Sequence, residues 1–135
     1  MRKNIVILGG SSGIGKAIAI RFANEGFRVL VAAIEKDKTD EVINSLHGKG
    51  HLGFKVNVSN GEEIEDLFRF TKNELIKVDV LINSVGISKG CPAIGSSFDY
   101  WNRSLDVMLY GTVNVARALV PLIPSGGRII NITSI

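Results

Sequence analysis

LGGSSGIG, residues 8–15, is the stretch on which the reading of this chain turns. It follows the apolar run KNIVIL, residues 3–8, without a spacer, and Ile14, Ala17, Ile18 and Phe22 then recur at the spacing of one helical stripe. The order is strand, glycine turn, helix. Glycines at 9, 13 and 15 in that setting permit a tight turn, let backbone approach a phosphate closely and bring helix against strand. The free N–H groups and the dipole of the helix start attract a pyrophosphate. A flexible turn with no ligand is the plainer alternative.

Outward from that turn the alternation continues. NEG at residues 24–26 stops the first helix, and RVLVAA from Arg28 to Ala33 is an unbroken apolar strand, as expected where a parallel sheet is covered on both faces. The pattern predicts a helix from about Lys38 to Leu46 with Val42, Ile43 and Leu46 inward, ended by Gly48 and Gly50. GFKVNV, residues 53–58, is the third strand. Ser59 and Glu62 read as a capping box for a helix with Ile64, Leu67, Phe68, Thr71 and Leu75 on its inner face. VDVLIN, residues 78–83, is the fourth strand. After a loop through Cys91, Pro92 and Gly95, Ser96 and Asp99 read as a second cap. The long helix that follows has Leu105, Met108, Leu109, Thr112, Ala116, Leu119 and Val120 at helical period and ends at Pro121 and Pro124. RIINIT, residues 128–133, is strand five. The fold class is α/β: an open, doubly wound parallel sheet of Rossmann type with five strands, in one domain over residues 1–135 that stops after strand five.

Composition narrows the function. The 16 basic and 13 acidic residues give a net charge of +3, but the basic ones are scattered from Arg2 to Arg128 without interleaved aromatics, which argues against nucleic acid. The longest apolar run is Val29 to Ile34, far below the ~20 residues of a bilayer span, and the N-terminal apolar stretch is too short for a signal peptide, so a cytoplasmic protein is expected. Cys91 is the only cysteine and reads as a bland, reduced thiol. His47 and His51 lack partners at ligand spacing and read as surface histidines, so no metal is expected.

Three motifs in order carry a family resemblance. LGGSSGIG resembles T-G-x-x-x-G-I-G, NSVG at Asn83 to Gly86 resembles N-N-A-G after strand four, and GGRIINITS resembles a fifth strand ending on an active-site serine. The chain thus resembles the short-chain dehydrogenase/reductase family over its whole length, nearest to the branch of 3-oxoacyl-acyl-carrier-protein reductases and carbonyl reductases. The resemblance implies an NAD(P)-dependent oxidoreductase that transfers hydride between nicotinamide and a carbonyl or alcohol carbon, with a small or acyl-carrier-bound substrate. It implies Ser134 as the catalytic serine, hydrogen-bonded to the carbonyl or developing alkoxide; a strand-end serine that caps backbone groups is the plainer reading. The implied cofactor-binding set is Gly9, Ser11, Ser12, Gly13, Ile14, Gly15, Ala33, Ile34, Lys36, Asn57, Val58, Asn83, Val85 and Gly86.

The family's tyrosine and lysine follow the serine, and this chain ends one residue after Ser134, so the 135 residues alone are expected to be inactive. Met108 stands where the family usually has an asparagine that holds a water of the proton relay, which methionine cannot do comparably. Asn57 replaces an aspartate that accepts the adenine amino hydrogen; its side-chain carbonyl could do the same. Leu8, Ser84 and Val85 are milder departures. At the end of strand two Ala33 is neutral, which removes the main repulsion of a 2′-phosphate; no basic residue stands at Ser12 or Ile34 to grip that phosphate, although Lys36 could reach it, and the balance favours NADP over NAD. The family pairs the long helix across a homodimer or homotetramer interface. Without such partners Leu105, Leu109, Ala116 and Val120 cannot all be buried, and the isolated piece is expected to pack loosely or aggregate. The rival reading is a non-catalytic dinucleotide-binding sensor or interaction module.

Overall fold

The computed structural model describes residues 1–87 and 94–134. Cys91 and Pro92 lie outside the described residues. Five parallel strands form one sheet: β1 (Asn4–Leu8), β2 (Arg28–Ala33), β3 (Leu52–Lys55), β4 (Val80–Asn83) and β5 (Arg128–Asn131), in the spatial order β3-β2-β1-β4-β5. The chain builds outward from β1 to one edge, then crosses back to lay β4 on β1's other side. That reversal opens a crevice at the carboxyl ends of β1 and β4.

β1 is the centre of the molecule. Ile5, Val6, Ile7 and Leu8 are wholly buried, with Ile7 beside Val31 and Ile82 in the strand register. Its side chains alternate between two cores. Ile5 and Ile7 join Val29, Val31 and Ile82 under α1 (Gly13–Asn24) and α2 (Lys36–Ser45). Val6 and Leu8 join Leu30, Leu81, Leu67 and Leu119 under α3 (Gly61–Leu75) and α5 (Gly111–Leu119). Each such side chain withdrawn from water contributes roughly 1.5 to 3 kcal/mol. The doubly wound sheet expected from the sequence is the fold observed.

Several local expectations are corrected. In α1 the inward residues are Gly15, Ala19 and Ala23, with Ile18 and Phe22 half-buried, while Ile14 and Ala17 are exposed. The helix lies close to the sheet through small residues, so bulk was a misleading guide. β3 begins at Leu52 and leaves the sheet after Lys55, although Val56 N–H still donates to Ala33 O at 3.0 Å. α2 starts at Lys36, two residues earlier than expected, and Leu46 is buried just beyond its end. The cap of α3 is Asn60, not Ser59: its side-chain oxygen accepts the N–H groups of Glu62 and Glu63. The second cap is likewise Ser97 rather than Ser96. His51 is half-buried and structural, its Nδ1 accepting Val29 N–H at 3.1 Å.

The long helix is three pieces: α4 (Phe98–Leu105), a π turn (Asp106–Tyr110) and α5, closed by a short 3-10 turn at Val120–Leu122. Its inward face carries Val107, Gly111, Val115 and Leu119, whereas Leu105, Met108, Leu109 and Val120 are exposed. The helix is apolar on two faces, so periodicity alone could not say which one meets the sheet. Residues 98–122 are long and apolar enough to cross a membrane, but Val115 and Leu119 are spent on the core against β1 and α3.

Asp79 ties the starts of β1 and β4 together. It accepts Asn4 N–H at 2.8 Å and Lys77 Nζ at 3.1 Å, and Asn4 donates its side-chain amide to the carbonyls of Leu75 and Lys77. Burial pushes the Asp79 carboxyl up, but the Asn4 N–H and the Lys77 and Lys3 ammoniums outweigh it and leave it below the usual carboxylate value. A lowered folded pKa gives stability that is complete above the unfolded value of about 4 and is lost as pH falls through the folded one. Asp79→Asn should therefore flatten the acid limb of stability against pH in urea melts. The caps give a second expectation: Asn60→Ala should cost about 1 kcal/mol and Ser59→Ala clearly less.

Candidate functional site

The crevice at the carboxyl ends of the strands is a cleft of about 270 Å³. One wall is the glycine turn after β1. Gly9 has φ +74°, and a Cβ there would lie 2.7 Å from the carbonyl oxygen of Ser84, so the turn after β1 rests directly on the turn after β4. A Cβ on Gly15 would collide with the carbonyl of Gly9. Helix α1 thus starts hard against the end of β1. Above Gly13 (φ +54°) the space is open: among the described residues, nothing beyond its own chain neighbours and helix backbone lies within 4 Å of where a Cβ would stand.

The start of α1 carries the positive end of the helix dipole, and its own N-cap side chain does not close it. Ser12 occupies the N-cap but makes no side-chain capping bond, and the first turn holds no acidic residue. Three other helix starts differ: Asn60 and Ser97 cap α3 and α4 through their side chains, and Asp37 stands in the first turn of α2. Helix-start N–H groups aimed at an open crevice suit an anion.

The remaining walls come from the ends of β2 and β4 and from α4. Of the residues expected from the sequence, Gly9, Ser11, Ser12, Ala33, Ile34, Asn57, Val58, Val85 and Gly86 line the cleft. Gly13, Ile14, Gly15 and Asn83 stand behind or beside it, in the turn and strand end that form it. Lys36 does not line it; its ammonium pairs with Asp40 one turn along α2, and that carboxylate raises the Lys36 pKa. Glu35 does line it and pairs with Lys38 at 2.9 Å. The side-chain oxygen of Asn57 already accepts Ser59 N–H at 3.0 Å and Ser59 Oγ–H at 2.7 Å.

The site residues expected from the sequence left out Ala32, Glu35, Val56, Ser59, Ser84, Ile87, Arg103 and Val107, which also line the cleft. Glu35 was open to view, one residue past Ile34. Arg103 and Val107 gave no signal, because their place follows from how the long helix crosses the sheet. Met108 does not line the cleft; its side chain is half-exposed on the outer face. Ser134 follows β5, which runs parallel to β4, so it lies toward the same carboxyl edge as the cleft, and it is exposed.

A βαβ sheet with a glycine turn at its reversal point and an uncapped helix start above it defines a dinucleotide-binding class of fold. The chain matches the family model described as short chain dehydrogenase over residues 3–135, and it belongs to that family. It is 34% identical to a 3-oxoacyl-acyl-carrier-protein reductase of Staphylococcus epidermidis, a match over the whole chain and 57% of that relative. It is 35% identical to an uncharacterized oxidoreductase of Staphylococcus aureus over 98% of this chain and 58% of the relative. Among solved structures, a short chain dehydrogenase of Bacillus anthracis superposes with TM-score 0.89 at 32% identity, over 96% of this chain and 54% of the other. A Thermoplasma acidophilum aldohexose dehydrogenase superposes at 0.84 with 27% identity, over 98% and 49%. The chain therefore spans somewhat more than half the length of the curated relatives it matches.

Proposed function

We propose that this chain binds the nicotinamide dinucleotide of an oxidoreductase that moves hydride between the nicotinamide and a carbonyl or alcohol carbon. The observation that carries the reading is the uncapped start of α1 at the reversal point of the sheet, with open space above Gly13. The residues present fit a dinucleotide: the first-turn N–H groups of α1 would hold the pyrophosphate, and the cleft between Ile34, Val58 and Val85 would take the adenosine. Bound there, the cofactor supplies the hydride. Ser134 would donate its hydroxyl hydrogen to the substrate oxygen, the role its place in the motif implies.

The substrate proposed is a carbonyl or alcohol, free or acyl-carrier-bound, the latter from the activity named for the S. epidermidis relative. We place the remaining acid/base groups outside these 135 residues, so this stretch alone should bind dinucleotide without reducing a carbonyl. The exposed row of Leu105, Leu109 and Val120 supports a homodimer or homotetramer of the whole protein. A non-catalytic dinucleotide-binding module is the second reading, favoured by Met108 in place of a hydrogen-bonding residue. Carbonyl reductase activity in the full-length protein would exclude it.

Gly13→Val puts a branched side chain into the space above α1 and should weaken dinucleotide binding by at least tenfold, about 1.4 kcal/mol. Unchanged affinity by calorimetry, with the melt preserved, would sink the assignment. Neutral Ala33 supports NADP, since no carboxylate at that position repels a 2′-phosphate; Ala33→Asp should move preference toward NAD. Glu35 in the cleft supports NAD as the alternative. On either reading Glu35→Gln should tighten NADP severalfold and leave NAD nearly unchanged, because the repulsion of a half-exposed carboxylate is worth up to about 1 kcal/mol. Dissociation constants for both dinucleotides at fixed salt measure this.

A further inference from the structure

We propose that Thr112 is a positioning residue that sets the Asn83–Gly86 wall of the cleft, and that the π turn before it is what aims it there. The inference rests on the dinucleotide reading of the cleft. Asn83 ends β4 with its side chain buried, and its amide has both ends engaged. Nδ2–H donates to Thr112 Oγ1 at 2.6 Å, and Oδ1 accepts Val85 N–H at 3.2 Å. Thr112 has a single hydroxyl hydrogen, which it donates to the carbonyl of Met108 at 2.7 Å. Toward Asn83 it can therefore only accept. The directions follow in sequence: the Met108 carbonyl orients the hydroxyl, the hydroxyl fixes which end of the Asn83 amide faces the helix, and the amide oxygen is left to hold Val85 N–H.

Val85 and Gly86 line the cleft, and Ser84 carries the carbonyl against which Gly9 packs. The wall and the glycine turn thus share one reference point, and Thr112 holds it from the helix side.

The π turn supplies the aim. Gly111 N–H donates to Asp106 O, five residues back, so one residue more than an α-helix needs stands between α4 and α5. Each residue is worth about 100° around a helix. With the regular count, residues after the turn would face elsewhere. With the extra residue, Gly111 meets Val58, where a Cβ would lie 2.8 Å from Cγ2, and Thr112 meets Asn83. One helix position therefore abuts the β3-side wall and the next abuts the β4-side wall. The same turn leaves the Met108 side chain outside while its carbonyl is used within, which separates the backbone role of position 108 from the identity of its side chain.

The test is made on the full-length protein, with NAD and NADP titrated by calorimetry and amide hydrogen exchange read at Val85. Thr112→Val removes the hydroxyl at nearly constant shape and should weaken the preferred dinucleotide about tenfold while exchange at Val85 rises. Thr112→Ser should keep binding within about twofold of the native protein and protect Val85 as the native does. Should Thr112→Val fail to fold, Thr112→Ala removes the hydroxyl without bulk and is held to the same outcomes. A melt that falls while the folded variant binds as tightly as the native protein overturns the positioning role, as does failure of serine to rescue. If the native protein binds neither dinucleotide, the reading of the cleft falls and this inference with it; if it binds and the valine variant binds equally, the inference alone falls.

Discussion

The close approach of α1 to the end of β1 is the constraint from which the rest of the site follows. A Cβ at position 15 would strike the carbonyl of Gly9, and one at position 9 would strike that of Ser84. Three backbone segments, the glycine turn, the helix start and the turn after β4, are therefore stacked with no side chain between them. Such contacts are rigid in a way that side-chain packing is not, because no rotamer can relieve them. They depend in turn on β1 being central and wholly buried, since only a strand fixed on both edges and both faces can hold a turn so firmly.

That stacking leaves the first N–H groups of α1 facing a crevice instead of a side chain. Asn60 on α3 and Ser97 on α4 close their helix starts in the ordinary way, and the first turn of α2 carries Asp37. An uncapped start forgoes roughly 0.5 to 2 kcal/mol that a good cap would contribute. Its persistence at the one place where the sheet reverses is intelligible if an anion completes it. Gly13 fits the same logic: it leaves open the volume that any other residue would begin to fill.

Much of this could be read directly from the amino acids. The strand, turn and helix around LGGSSGIG, the alternation of elements and the inner face of α3 all follow from short-range pattern. Failures arose where two neighbours offered the same chemistry, as with Ser59 beside Asn60 and Ser96 beside Ser97. They also arose where a helix carried apolar residues on two faces. Leu119, expected at helical period, is buried with Val115, which the periodic set left out, while Leu105, Leu109 and Val120 stay exposed, as expected of residues that one sheet face cannot all bury; a π turn that no local propensity announces shifts the phase between the two halves. Charge at the cleft was misjudged for a related reason. Lys36 and Glu35 are adjacent in sequence, but the helix start at Lys36 turns the ammonium along α2 toward Asp40 and leaves Glu35 at the strand end, inside the cleft.

The two apolar faces of the long helix also account for its unusual construction. A helix that served only as a lid over the sheet could be a uninterrupted α-helix with one apolar stripe. Here the inner face must do two further things at the level of the cleft: seat Gly111 on Val58 and reach Asn83 with a hydroxyl. Gly111 continues the stripe that packs Val115 and Leu119 on the core beneath, and Thr112 stands beside that stripe. Inserting a π turn between the two halves lets each adopt its own phase, at the cost of a locally weakened ladder that Thr112 Oγ1 partly repairs by bonding the Met108 carbonyl. The outer face, with Leu105, Met108, Leu109 and Val120, is then free of any duty toward this sheet. That exposed apolar row is the face the proposed homodimer or homotetramer would use.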